Sequence, residues 1–161
     1  MHGLALPRRH LPYPLIERYE LDARTVVPDA KDGMASPNAE VQFLARHRQP
    51  LLPYWEGGEM RLGEWGNLRH TSAKLPRSHQ CRRESFEEGR WAWMNPKPIR
   101  IPCSLLLDNH VWTAVDQDLE GVVLVDEKKC PHIYPLTVPS SHYYRIMTGS
   151  EREAVMERSQ I

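Results

Sequence analysis

The sequence predicts a β-rich α+β domain in which antiparallel strands curl into a barrel or sandwich with few short helices. Short apolar stretches with a two-residue period recur along the chain, and Gly57-Gly58 marks a tight turn between two of them. Fourteen prolines and nine glycines divide the 161 residues into short pieces, which makes long helices unfavourable. A chain of this length can bury one real hydrophobic core, so we predict a single domain over residues 1–161.

The first forty residues are predicted to be a loop-rich segment, because prolines interrupt them at five positions. One short helix is expected over Pro14–Leu21, with the proline in its first turn. The β-rich core, residues 41–161, then begins with a strand at Val41–Ala45 and an extended piece at Leu51–Trp55. After the glycine turn, alternating apolar and charged residues predict the return strand of a hairpin with one buried face.

The last third of the chain is the most regular part. The segment Glu84–Glu88, which precedes this third, fits either a single helical turn or a loop. Ser150 and Glu153 have the spacing of a capping box, which predicts a terminal helix. The predicted elements of this third are an extended segment at Ile99–Leu107 that Pro102 confines to an edge or bulge, a turn at Asp108-Asn109, strands at His110–Val115, Gly121–Val125 and Ile133–Val138, and a helix at Ser150–Arg158.

Positive charge is concentrated in the middle of a chain whose net charge is zero. Residues 61–100 carry nine basic and four acidic side chains, and the segment Arg69–Arg83 contains five Lys/Arg and no acid. Tryptophans bracket this segment at Trp65, Trp91 and Trp93. Cations beside aromatic rings suit single-stranded nucleic acid, because phosphates pair with the cations and bases stack on the rings. A solvated basic loop is the alternative.

The sequence also argues against several classes of protein. No apolar run approaches the roughly 20 residues that span a bilayer, and the chain does not begin like a signal peptide, so the cytoplasm is the expected compartment. The three cysteines are not closely paired, which fits a reducing compartment. Cys130-Pro131-His132 has no second ligand pair for zinc and is read as a turn cysteine and a surface histidine. The sequence contains no nucleophile elbow and no phosphate-binding loop. Together with the preceding observations, this leads us to expect no metal, no cofactor and no membrane partner. A monomer is the default expectation.

Aromatic residues of the second half could also stack bases. Near strands such side chains more often pack in the core, which is the expectation unless the basic face proves adjacent. The residues concerned are Trp112, Tyr134, Tyr143 and Tyr144.

Five short motifs between residues 60 and 157 occur in an order that is found in one protein family. They are Glu64-Trp65-Gly66, similar to the family's Trp-Gly-Leu; Gln80-Cys81-Arg82-Arg83-Glu84-Ser85, similar to Asn-Ala-Arg-x-Glu-Thr; Arg100-Ile101-Pro102-Cys103, similar to Arg-Cys-Leu-Ile-Pro in altered order; Pro135-Leu136-Thr137, similar to a strand that ends in Thr; and Ser150-Glu151-Arg152-Glu153-Ala154-Val155, similar to His-Asp-Arg-Met-Pro-Val. With these motifs the chain resembles the SOS-response-associated peptidase (SRAP) family, whose members sense abasic sites in DNA damage and crosslink to single-stranded DNA.

The resemblance implies the fold and a set of site positions. The family reacts through a cysteine directly after the initiator methionine, and here His2 occupies that place. The family's acidic residue before a tryptophan has no equivalent, because Val111 precedes Trp112. The catalytic positions implied are His2, Gln80, Glu84 and Ser150, and the DNA-binding positions predicted are Trp65, Arg69, Arg77, Arg82, Thr137 and Arg152.

We therefore predict a protein that binds single-stranded DNA, abasic or intact, with degraded covalent chemistry. Histidine has no thiol, so the ring that the family's cysteine closes on the abasic aldehyde cannot form in the same way. A free α-amino group could still form a Schiff base. Two alternatives stay open: an active crosslinking enzyme or peptidase of the family, and a non-catalytic interaction protein, for example one carried by a phage.

Overall fold

The computed structural model describes residues 1–26 and 39–157, and this part of the chain is built mainly from strands joined by short helices and loops. The strands are β1 (Gly3–Pro7), β2 (Thr25–Val26), β3 (Glu40–Leu44), β4 (Leu51–Glu56), β5 (Glu59–Trp65), β6 (Cys81–Arg82), β7 (Lys97–Ile101), β8 (Leu105–Asp108), β9 (Val111–Ala114), β10 (Leu119–Val125), β11 (Pro131–Pro139) and β12 (Arg152–Ala154). The α-helices are α1 (Tyr13–Arg18), α2 (Arg83–Glu87) and α3 (His142–Thr148), and 3-10 turns cover Arg8–His10, Leu21–Arg24 and Ala92–Met94.

Five strands close into a barrel. Their order is β10-β7-β4-β5-β11, and the pairing of β10 with β11 closes the ring. Neighbouring strands run antiparallel except β5 and β11, which are parallel and align Ile133 with Trp65. Beyond the barrel, the far half of β11 pairs with β12 and with the short β6.

The other sheet is antiparallel, with the strand order β2-β3-β1-β8-β9. One continuous core joins it to the barrel. Leu4 and Phe43 from this sheet lie in the same buried cluster as Leu52, Trp65 and Ile133 from the barrel. The β-rich α+β fold predicted from the sequence is confirmed.

The hairpin formed by β4 and β5 agrees with its sequence pattern. Gly57 and Gly58 have φ angles of 57° and 81°, in the left-handed region that a two-residue hairpin turn requires. Met60 and Leu62 are buried, while the charged residues of the same strand, Glu59, Arg61 and Glu64, are exposed or only partly buried. The helix predicted at Pro14–Leu21 is present in part as α1, which starts one residue earlier and ends at Arg18, while Leu21 begins a separate 3-10 turn.

Two predictions for the extended segments need correction. The first forty residues were predicted to be loop-rich, but Gly3–Pro7 forms a central strand that pairs with both β3 and β8; residues 27–38 lie outside the described residues. The extended segment Ile99–Leu107 is divided between two sheets. The break falls at Pro102, whose missing N–H cannot continue the ladder of β7, and Ser104 then bonds to Ala5 in the other sheet.

The predicted terminal helix at Ser150–Arg158 is wrong over its described part. Arg152–Ala154 is strand β12, paired with β11. The helix lies earlier, as α3, because Ser141 caps its start by accepting the backbone N–H of Tyr144, and Gly149 ends it at a φ of 72°. Glu153 still serves a cap, since its carboxylate accepts the backbone N–H of Ser141 at 2.7 Å.

Across residues 1–26 and 39–157, none of the helices combines the length and the apolar character needed to cross a membrane.

Candidate functional site

The buried carboxylate of Asp108 lies at the centre of a polar cluster near the start of the chain. Strand β8 ends at this residue, and the turn Asn109-His110 follows with φ angles of 45° and 66°. The observed turn therefore lies one residue later than the turn predicted at Asp108-Asn109. Only 2% of the Asp108 surface is exposed. A buried charge of this kind is stable only when it is paired and hydrogen-bonded.

Donors from separate parts of the chain reach both oxygens of Asp108. The hydroxyl of Tyr144, on α3, donates to Oδ2 at 2.6 Å, and the hydroxyl of Ser150 donates to Oδ1 at 2.8 Å. The amino group of Met1 lies 3.4 Å from Oδ1. These contacts bring the beginning of β1, helix α3 and the loop before β12 to one point.

His2 lies beside this cluster with about half of its side chain exposed. The backbone N–H of Asn109 donates to its Nδ1 at 3.1 Å, so the proton of the neutral ring is on Nε2. The same Nδ1 lies 3.2 Å from Asp108 Oδ1, a contact that is an ion pair only when the ring is protonated. The predicted positions His2 and Ser150 thus meet at Asp108.

The surroundings of Asp108 hold it in its charged form. Burial alone would raise its pKa, but the hydrogen bonds from Tyr144, the Met1 amino group and Ser150 together lower the pKa below its ordinary value. The pKa of Tyr144 is raised, first by burial and then by the nearby Asp108 carboxylate. Tyr144 is therefore a neutral hydrogen-bond donor and Asp108 an anion.

His79 adds a neutral imidazole to the cluster. Its ring stacks on that of His2 at a centroid distance of 6.5 Å and an interplanar angle of 15°. Burial lowers the pKa of His79 to about 4, and the positive charges of the Met1 amino group and His2 add to the effect. His79 is therefore an uncharged ring next to an amine and a carboxylate at neutral pH.

A cavity of about 580 Å³ opens beside His2, and we call it the His2 groove. Trp112, on β9, is 38% exposed there. The side chain of Arg46 is exposed, and among the described residues no carboxylate lies within ion-pair distance of it. The groove is lined by His2, Gln42, Leu44, Ala45, Arg46, Leu107, Asn109, His110 and Trp112.

Three further predicted residues form a second cluster, around Arg152. Its guanidinium group makes a bidentate pair with Glu84, at 3.0 and 3.2 Å, and donates to the backbone carbonyl of Thr137 at 2.7 Å and to its hydroxyl at 3.3 Å. The hydrogen bond from Arg152 lowers the pKa of Glu84. All three guanidinium nitrogens are engaged, so this cluster ties α2 to β11 and β12 rather than presenting a free cation.

Among the described residues, the other predicted polar positions make no hydrogen bond or ion pair with Asp108. Gln80 is partly buried, and its backbone forms a tight turn with the hydroxyl of Ser78. Arg77 and Arg82 are exposed. Arg69 is exposed and pairs with Glu64 at 3.3 Å.

The prediction that Trp65 stacks a base is wrong. Its ring is fully buried in the core, and its indole N–H donates to the backbone carbonyl of His79 at 2.8 Å. Tyr134 is buried as expected, whereas Tyr143 and Trp112 are exposed instead of lying in the core.

His132 is also misplaced by the sequence prediction. It is fully buried, not at the surface, and its ring bridges Asp126 at 2.8 Å and the carbonyl of Gly66 at 2.7 Å. Cys130 is exposed and unpaired with any described cysteine. Within residues 1–26 and 39–157, no three His, Cys, Asp or Glu side chains are arranged to hold a metal ion.

Sequence reasoning missed Asp108, Tyr144 and Arg46. Asp108 was placed in a turn, where an aspartate is common for local reasons, and nothing in its neighbours indicates burial. The sequence predicts Tyr144 as a core-packing residue and gives no sign of its hydrogen bond to Asp108. Arg46 lies outside the basic middle of the chain, so the charge count did not single it out.

No protein-family model, curated protein or solved structure matches this chain.

Proposed function

We propose that this protein binds single-stranded DNA and that the His2 groove receives an unpaired nucleotide. The observation that carries the proposal is an indole ring and a guanidinium group exposed in the same groove, those of Trp112 and Arg46. A ring of this kind stacks a base for ~1–3 kcal/mol, and arginine binds phosphate through bidentate hydrogen bonds. The combination is typical of proteins that hold single strands with little sequence preference.

The resemblance to the SRAP family supports the same location. His2 and Ser150 stand at two of the family's reactive positions, and both side chains contact Asp108 although they lie at opposite ends of the chain. We therefore propose a divergent relative of that family, acting in the cytoplasm as a monomer.

We propose binding without a covalent step as the main activity. His2 supplies no thiol, and the side chain of Met1 is buried. The amino group of Met1 lies 3.4 Å from the Asp108 carboxylate, so an aldehyde would have to displace this contact before the nitrogen could attack it.

Fluorescence polarisation with a labelled single-stranded oligonucleotide tests the proposal. Trp112→Ala removes the exposed ring and should weaken binding about tenfold, as expected for the loss of one stacked base. Trp93→Ala is the matched control, because Trp93 is 71% exposed but does not line the groove. Arg46→Gln and Arg90→Gln form a second matched pair.

Equal affinities for Trp112→Ala and Trp93→Ala would contradict the proposed groove. No binding by the wild-type protein even at low salt would overturn the function itself and favour the interaction protein.

A second candidate function is crosslinking to abasic DNA, which the grouping of the Met1 amino group, Asp108 and neutral His79 favours. In that reaction the amine nitrogen bonds to the aldehyde carbon of the opened sugar, and the carbonyl oxygen leaves as water. Intact-mass analysis after incubation with abasic single-stranded DNA and borohydride distinguishes the two. We expect an unchanged protein mass; a stable DNA adduct lost on blocking the amine would support crosslinking.

A further inference from the structure

A second basic surface lies next to the His2 groove, and we call it the arginine pocket. It is a cavity of about 400 Å³ lined by Arg24, His47, Arg48, Gln49 and Arg69. These residues come from three separate segments: the 3-10 turn before β2, the loop between β3 and β4, and the loop after β5. Of the described residues that line it, all except Gln49 have a basic side chain.

Arg24 is held in place by neutral groups rather than by an acid. Its Nη2 donates to the backbone carbonyl of Gln49 at 2.8 Å, and its Nη1 lies 3.5 Å from Nδ1 of His47. Its side chain is partly buried, and burial lowers the pKa of the guanidinium. No carboxylate among the described residues lies within ion-pair distance of Arg24, so its charge is fixed in position and unneutralised.

His47 adds a hydrogen-bond donor. The backbone N–H of Leu44 donates to its Nδ1 at 3.2 Å, which leaves the proton of the neutral ring on Nε2. Burial lowers the pKa of His47, and the nearby Arg24 and Arg46 lower it further. At neutral pH the ring is therefore uncharged, and its Nε2–H is the hydrogen-bond donor that it offers.

The pocket carries excess positive charge. Arg69 is oriented by Glu64 at 3.3 Å, and the same carboxylate accepts the hydroxyl of Thr71. Arg48 is exposed and has no acidic partner among the described residues. Three guanidinium groups therefore line the pocket, and only that of Arg69 is paired with a described carboxylate, that of Glu64. Guanidinium forks match the oxygens of a phosphate, and a dianion would balance the remaining charge.

We infer that the arginine pocket binds a phosphate group and, resting on the function proposed above, that it holds a backbone phosphate of the strand whose base lies in the His2 groove. Consecutive residues of one loop support this continuity: Ala45 and Arg46 line the groove, while His47, Arg48 and Gln49 line the pocket. A strand leaving the groove across this loop meets the pocket directly.

Isothermal titration with inorganic phosphate at low salt tests the site without DNA. Arg48→Gln should weaken phosphate binding about tenfold, and because Arg48 is exposed this variant keeps the fold. Arg24→Gln should have an effect at least as large. Arg90→Gln, an exposed arginine paired with Glu88 outside the pocket, is the matched control and should bind as the wild type does. No phosphate binding by the wild type, or equal binding by all variants, overturns the site.

Oligonucleotide binding at several salt concentrations tests the link to DNA. If the pocket holds a backbone phosphate, Arg48→Gln lowers the slope of log K against log salt by about 0.7, and free phosphate competes with the oligonucleotide. Phosphate binding that depends on Arg48 while the salt slope stays unchanged refutes the link and assigns the pocket to a free phosphate or phosphate ester. If the proposed function fails but the phosphate site is real, the protein binds inorganic phosphate and binds no oligonucleotide. This result is therefore distinguishable from failure of the site itself.

Discussion

Asp108 shows how one side chain ties distant parts of this protein together. It accepts hydrogen bonds from Tyr144 and Ser150 and faces the amino group of Met1, while almost none of it touches solvent. An unpaired carboxylate in that position would cost several kcal/mol. The arrangement therefore both stabilises the fold and keeps a fixed negative charge beside the His2 groove.

His79 makes stability depend on pH in a predictable direction. Its pKa is about 4 in the folded protein against 6.5 ordinarily, so between these values the unfolded chain binds a proton that the folded chain does not. The free energy of unfolding should therefore decrease as the pH falls from 6.5 towards 4. His79→Gln should flatten this dependence, which urea denaturation at a series of pH values measures.

The exposed His142 provides the control for this experiment. His142→Gln should keep the wild-type dependence of the unfolding free energy on pH. A dependence that is equally steep in His79→Gln would mean that His79 does not remain neutral on folding.

Two positions of the candidate site could be indicated from the sequence: His2 by its place after Met1 and Ser150 by its motif. Asp108 could not be found in this way, because its role comes from contacts with residues far away in sequence. Trp65 failed as a stacking residue for the opposite reason. Its position beside a basic segment suggested exposure, but strand β5 turns that face into the core, where the indole N–H finds a carbonyl.

Among the elements, the loop between β5 and β6 is fixed to the barrel at Gly66. The N–H of Gly66 donates to the carbonyl of Ile133 at 2.7 Å, and the carbonyl of Gly66 contacts the ring of His132. Its φ is 53°, and a Cβ added here would overlap the backbone of Ser78. This loop carries Arg69 to the arginine pocket and His79 to Asp108, so its anchoring positions both sites.

Gly66→Ala should therefore destabilise the protein by about 3 kcal/mol, from left-handed backbone strain together with the overlap at Ser78. Gly58→Ala is the matched control. Its φ is 81° but nothing lies within 4 Å of an added Cβ, so strain alone should cost about 1 kcal/mol. Urea denaturation of both variants measures the difference; equal losses would mean that Gly66 is needed only for its backbone angle.

The sequence predicts correctly those elements that are determined by residues close together in the chain. The β4–β5 hairpin follows from two glycines and a two-residue period. The terminal helix was misplaced because Ser150 and Glu153 have the right spacing for a cap while Gly149 and the pairing of β12 with β11 decide the outcome. Pairing between distant strands leaves no mark in a short window of sequence.

At the scale of the whole molecule, charge is arranged differently in space than along the chain. The sequence places its excess positive charge in residues 61–100. The fold takes Arg69 from that region and joins it to Arg24 and Arg48 in the arginine pocket. A count over consecutive residues cannot detect such a surface, because its members belong to three segments.

The continuous core predicts that the two sheets unfold as one unit. Leu4, from the five-stranded sheet, and Leu52, from the barrel, are both fully buried in one cluster. Leu4→Ala and Leu52→Ala should each cost about 3 kcal/mol and move a single transition, with far-UV circular dichroism and tryptophan fluorescence superimposed. If Leu4→Ala instead melts part of the dichroism signal while the fluorescence of the buried Trp65 persists, the five-stranded sheet and the barrel are separate cooperative units, and the single-domain prediction fails.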